Sequence, residues 1–148
     1  MANFIEDGQS IQTFVKGIPA KFDDFYCERR PTLPLDRNKT QFTAGKARDA
    51  GNPEEIDAAY NGLIASKLTW WNIRDSKGAT VEITPANSAR LPPDLWDRLV
   101  NVVLGFDLGD LAPNAREEEK TKFAAAIAAE KAGLAPGDAQ TEAQRKNS

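Results

Sequence analysis

Residues 68–106, LTWWNIRDSKGATVEITPANSARLPPDLWDRLVNVVLGF, hold all three tryptophans of the chain and its densest apolar patterning. They restrict the possible folds more than any other stretch. The first half reverses direction. Residues 68–74 form a β-type run with Trp71 and Ile73 on one face and Trp70 on the other. Asp75-Ser76-Lys77-Gly78 follows, and residues 79–84 resume the alternation, with Val81 and Ile83 facing one way and Thr80 and Glu82 the other. Asp and Ser bond locally to backbone amides and glycine accepts positive φ, so a β-hairpin with a four-residue loop is expected, ending at Pro85. The second half is a helix opened by Pro92-Pro93-Asp94 and stopped at Gly105. Leu95, Leu99, Val102, Val103 and Phe106 track one side of it, and Trp96 and Val100 widen the stripe. So broad a stripe belongs to a helix deeply embedded in a core or shared with a partner.

The rest of the chain supplies what this stretch packs against. Residues 10–18 predict a short strand ending near Pro19, and residues 22–29 a second, with Phe25 and Cys27 alternating against Tyr26 and Glu28 until Pro31 stops it. The two can pair as a hairpin through residues 17–21. Residues 32–51 carry Pro34, Gly45 and Gly51 with little apolar periodicity. They predict a loop, or a short irregular helix around 40–48, tied to the body by Leu33, Leu35 and Phe42. A helix over 53–67 is well punctuated: Asn52 is its cap, Pro53 takes the first helical position, and Glu55 stands three residues after the cap. Ile56, Tyr60, Leu63 and Ile64 then form one stripe. Asn114 is expected to cap a third helix over 115–132, whose apolar face of Phe123, Ile127 and alanines is thin, with Gly133 as its stop.

These elements make an α+β domain over residues 1–133, a small antiparallel sheet built from two hairpins packed with about three helices. Residues 134–148 lack apolar pattern and predict a disordered tail whose deletion leaves the thermal midpoint unchanged.

The 148 residues contain no histidine and one cysteine. The commonest general base and every Ser-His or Cys-His arrangement are thereby absent, as are a disulfide framework and cysteine-cluster zinc sites. A net charge of -3 argues against a chain that grips phosphates, so no nucleic-acid partner is expected. The start MANFIEDGQ has no basic, apolar leader pattern, and no apolar segment approaches the roughly 20 residues that a bilayer requires. A reduced, cytoplasmic protein without cofactor, metal or membrane partner is expected.

The remaining candidates have structural readings. Cys27 lies in YCERR, where Arg29 and Arg30 would favour a thiolate, yet its alternation with Phe25 points to a buried structural thiol. Glu6-Asp7 and Asp23-Asp24 read as solvated surface, and Glu54-Glu55 and Glu117-Glu118-Glu119 as helix starts. Gly105 and Gly109 follow a helix, so they make no phosphate cradle. The basic residues between 29 and 48 form either a solvated loop or a contact surface for an acidic partner. Adjacent tryptophans on a strand point to opposite faces, which places two of the three in the core and leaves at least one for an interface.

FYCERRPTL, then LTWWNIRDSKGATVEIT, then RLPPDLWDRLVNVVLGF is similar to small proteins of tailed bacteriophages and prophages. An early strand ending in Arg-Pro, a Trp-containing strand and a proline-led, leucine-rich helix closed by glycine resemble the tail assembly chaperone group, over residues 25–106. The resemblance implies a non-enzymatic protein of the host cytoplasm that binds the helical tape measure protein through apolar surfaces. The alternative is a virion structural component, such as a head–tail connector, tail-completion or capsid-decorating protein. Either would contact other phage proteins, or further copies of itself, through Trp70, Trp96, Leu99, Val103, Phe123 and Ile127. A small enzyme would require a catalytic constellation that the residues do not supply.

Overall fold

The computed structural model describes residue 5 and the segments 8–110 and 117–132. Strand β1 (Ile11–Val15) pairs antiparallel with β2 (Phe25–Arg29), Thr13 opposite Cys27 and Val15 opposite Phe25. Alternation sorts the two faces. Thr13, Val15, Phe25, Cys27 and Arg29 are buried on one, while Phe14 and Tyr26 stand on the other. Strand β3 (Leu68–Trp71) adds to the far side of β2 with Trp71 opposite Cys27, giving the order β1-β2-β3.

Helix α1 (Pro34–Asp49) occupies the stretch expected to be a loop or a short irregular helix, and it runs for 16 residues. Its buried residues are Ala44 and Ala47 alone. A helix that docks through two alanines needs no stripe of large apolar residues, so it leaves no periodic signal. Helix α2 (Pro53–Lys67) begins and ends where its punctuation predicts, and Asn52 Oδ1 accepts the Glu55 N–H at 3.3 Å. Asn52 N–H donates to Ala47 O at 2.8 Å, which holds α1 and α2 together as a tight helical hairpin.

The second expected β-hairpin forms only in part. Residues 79–84 reverse beside 72–75 through a single bridge, Arg74 to Thr80, and do not extend the sheet. Two local bonds account for this. Asp75 Oδ1 accepts from the N–H groups of Lys77 and Ala79, which clasps the turn tightly. The Trp71 indole N–H then takes the Val81 carbonyl at 2.7 Å, an acceptor that continued pairing would have needed. Beyond it the chain enters the short helix α3 (Pro85–Ser88), capped by Thr84 Oγ1 on Asn87 N–H.

Helix α4 (Pro93–Leu104) is the embedded helix of the expectation: Leu95, Leu99, Val102 and Val103 are at most 1% exposed. Gly105 closes it with φ +90°, the left-handed stop that glycine adopts without strain. The inner sheet face, α2 and α4 enclose one core with Trp71, Phe25 and Ile64 at its centre.

After α4 the chain folds back onto β1. Asp110 N–H donates to Phe14 O at 2.8 Å, and the Asp110 carboxylate accepts from Lys16 N–H. Arg98 ties the same turn down, its guanidinium 2.7 Å from Asp110 and 3.1 Å from Asp107. Helix α5 (Glu117–Lys131) covers the second sheet face, where Phe123 closes a cluster with Phe14 and Tyr26 at centroid distances of 5.6 and 5.9 Å. Lys131 Nζ reaches Glu28 at 2.8 Å. The architecture is therefore α+β, with five helices among the described residues where about three were expected; α1 and α3 are the additions. The expected cap at Asn114, the stop at Gly133 and the tail 134–148 lie outside the described residues.

Candidate protein-interaction surface

Two features of α1 leave apolar surface uncovered. It docks through Ala44 and Ala47, so every large apolar side chain it carries points elsewhere. In addition, Leu35 and Phe42 are seven residues apart and Lys39 and Lys46 repeat that spacing, which sets all four along one outward stripe. Leu35 is 61% exposed and Phe42 66%. These residues do not tie the segment to the body, as expected for a loop; they face away from it. Lys46 Nζ lies 5.2 Å from the Phe42 ring centroid.

The turn after α4 also carries exposed apolar side chains. Phe106 is 63% exposed and Leu108 61%. Arg37 stands over the Phe106 ring at 5.7 Å. Two residues on from Leu35, it lies on the side of α1 that docks through Ala44, so the turn borders that side and not the outward stripe. The turn is held rigidly. Phe106 and Asp107 N–H groups both donate to Asn101 O, and Asp107 is gripped by Arg98. Hydrogen bonds to both Asp110 and Asp107 raise the Arg98 pKa above its ordinary value, so the clamp stays charged. Large apolar side chains in a fixed, cation-bordered patch are the expected make-up of a protein contact surface.

A second concave region lies at the other end of the molecule. It is a groove of about 1050 Å³ between the β1–β2 connection, the 72–78 turn, the start of α4 and the end of α5. Phe22, Ile73 and Pro92 contribute apolar floor, and Asp23, Asp24 and Asp75 line it with carboxylates. Tyr26 borders it, its hydroxyl pKa raised first by burial and then by the negative charge of Asp24 and Glu130. Asp24 and Asp75 are engaged by backbone amides, whereas Asp23 makes no hydrogen bond or ion pair among the described residues.

The six expected contact residues separate into two groups. Leu99 and Val103 are fully buried in the core, and Ile127 and Phe123 are 1% and 9% exposed under α5. The expectation that these four face a partner is corrected: the chain's own sheet and helices cover them. The thin face of α5 suffices because the Phe14–Tyr26 pair supplies the rest of the aromatic surface. Trp96 is half-buried, edge-on to Tyr60 at 6.3 Å, with its indole N–H on Asn61 Oδ1 at 2.7 Å. Trp70 is half-buried beside a depression of about 350 Å³ formed with Ala65 and residues 80–83. Trp71 is the core tryptophan.

Cys27 is fully buried. Burial pushes its thiol up to about 12, outweighing the positive charge of Arg29 and the Thr13 hydroxyl bond, which favour the thiolate. No group of three or more His, Cys, Asp or Glu residues that could hold a metal ion occurs among the described residues. No described helix is long and apolar enough to cross a membrane. Comparison with family models, with curated proteins and with solved structures finds no match.

Proposed function

We propose that this chain is a non-enzymatic assembly protein that holds another protein on the outer face of α1. The observation that carries the reading is the exposure of Leu35 and Phe42 on one stripe of a helix that is otherwise firmly docked. Covering a large apolar side chain is worth about 1.5–3 kcal/mol, so two on one stripe favour association. The resemblance of residues 25–106 to tail assembly chaperones implies, as the partner in this reading, a helical tape-measure-type protein held in the host cytoplasm while a tail tube polymerises.

A virion structural component is the second reading, favoured by the presence of two surfaces of opposite charge on one chain. Light scattering after size exclusion, on the protein alone and mixed with the helical tail protein, tests the first. A complex formed by the native chain and lost in Phe42→Asp supports it; a complex that Phe42→Asp leaves intact overturns the assigned surface. Purified particles separate the two readings, since a chaperone is absent from them and a structural component is present.

A further inference from the structure

We propose that the acidic groove of one copy receives the outer stripe of α1 from a second copy, so that chains associate head to tail. The proposal rests on the reading of the α1 face as a contact surface and names what covers it.

Charge complementarity carries the argument. The stripe of α1 presents Lys39 and Lys46 between Leu35 and Phe42, with no carboxylate at those four positions. The groove presents Asp23, Asp24 and Asp75 around Phe22 and Ile73. Arg74 also lines the groove but is paired with Glu130 at 3.8 Å, so the balance there stays acidic, opposite in sign to the stripe. Dimensions agree as well. From Leu35 to Lys46 the stripe runs about 16 Å at 1.5 Å per residue. The groove, at about 1050 Å³, has room for several large side chains at once. Among the described residues neither Lys39 nor Asp23 has a partner within its own chain.

Placement makes the contact intermolecular. Pro92 and Leu95 put the groove at the start of α4. Arg37 stacks on Phe106, just past the other end of that 12-residue helix, about 18 Å away along its axis. One chain therefore cannot lay its own α1 stripe in its own groove. Because the two surfaces differ, the contact is heterologous, and repetition closes a ring or extends a filament according to the rotation between neighbours.

Sedimentation velocity on the full chain, across concentration and salt, is the test. The native chain is expected to form dimers and larger species whose association weakens roughly tenfold or more when salt is raised, because screening shortens the reach of exposed charges. Two variants keep the fold, since none of the altered side chains is buried: Lys39→Glu with Phe42→Asp on the helix, and Asp23→Lys with Ser76→Lys on the groove. Each alone is expected to be monomeric with an unchanged circular dichroism spectrum. Mixed, they are expected to give a one-to-one dimer and nothing larger, because one intact helix face meets one intact groove. A native chain that stays monomeric overturns the proposal, as does self-association that survives either variant. Two monomeric variants that fail to combine also overturn it, since an intact helix face and an intact groove would then be shown not to bind each other. If self-association fails while Phe42→Asp still removes binding to a helical tail protein, only the second copy is rejected and the contact surface stands.

Discussion

The indole N–H of Trp96 donates to the buried carboxamide oxygen of Asn61 at 2.7 Å, and Ser88 Oγ donates to the same atom at 2.9 Å. One acceptor thus joins α2, α3 and α4. Asn61→Ala leaves two donors in a largely dry site without a partner, a loss of about 3 kcal/mol. Urea titration should show the midpoint falling with little change in slope; a loss below about 0.5 kcal/mol would mean that water replaces the bond.

Asp110 makes stability depend on acid. Burial alone would raise its pKa, but the Arg98 guanidinium and the Lys16 amide outweigh it, so the folded value lies below the ordinary one of 3.8. A depressed folded pKa contributes stability that is present above the unfolded pKa and is lost as pH falls through the folded one. Unfolding free energy is therefore expected to decline below about pH 4. Asp110→Asn should be less stable at neutral pH and show a shallower decline; an identical acid profile in the variant would exclude Asp110 as a source.

Cys27 is expected to resist alkylation in the native protein at neutral pH and to react only through unfolding, because its thiol stays protonated and enclosed. Its raised pKa acts on stability in the opposite direction from Asp110. The contribution is complete below the unfolded value near 9.0 and is lost as pH rises toward about 12, where the folded thiol at last ionises. Cys27→Ala should flatten that alkaline decline. Alkylation at a rate independent of denaturant would contradict the buried assignment.

Gly109 is held at φ +83°, and a Cβ built on it would stand 2.5 Å from Phe14 O. Gly105 shares the left-handed backbone but has open space around it. Gly109→Ala should therefore cost about 3 kcal/mol and Gly105→Ala about 1 kcal/mol. Equal midpoints for the two variants would show that the 109 turn can lift off β1.

Legibility along the chain followed the source of each element's stability. Asn52-Pro53 and Pro92-Pro93 with Gly105 mark α2 and α4 by local chemistry and apolar period together, and both lie where the residues predict. Helix α1 docks by alanines, so nothing in its hydropathy separates it from a loop. Residues 79–84 alternate as a strand does, but the Trp71 indole claims their carbonyl, a tertiary bond that no local pattern discloses. The contact surface has the same history. Wide stripes on α4 and the Phe123–Ile127 face read equally as core or interface until the enclosing elements are known. The sparse pair Leu35 and Phe42 lies in the basic stretch where an acidic partner was one of two expectations. Their spacing of seven, matched by Lys39 and Lys46, is the signal that could have identified the face.

Asp110 has one more consequence. Strand β1 ends the sheet, and an outermost strand ordinarily offers its free amides and carbonyls as a template for a strand from another chain. Here Phe14 O and Lys16 N–H, two of the groups pointing off that border, are already taken by Asp110. Recruitment by strand addition is hindered at the C-terminal end of this border. A strand arriving at that end meets a carboxylate and a turn in place of free backbone. A contact there would have to be made by side chains, which can be tuned for one partner, and not by backbone, which accepts any.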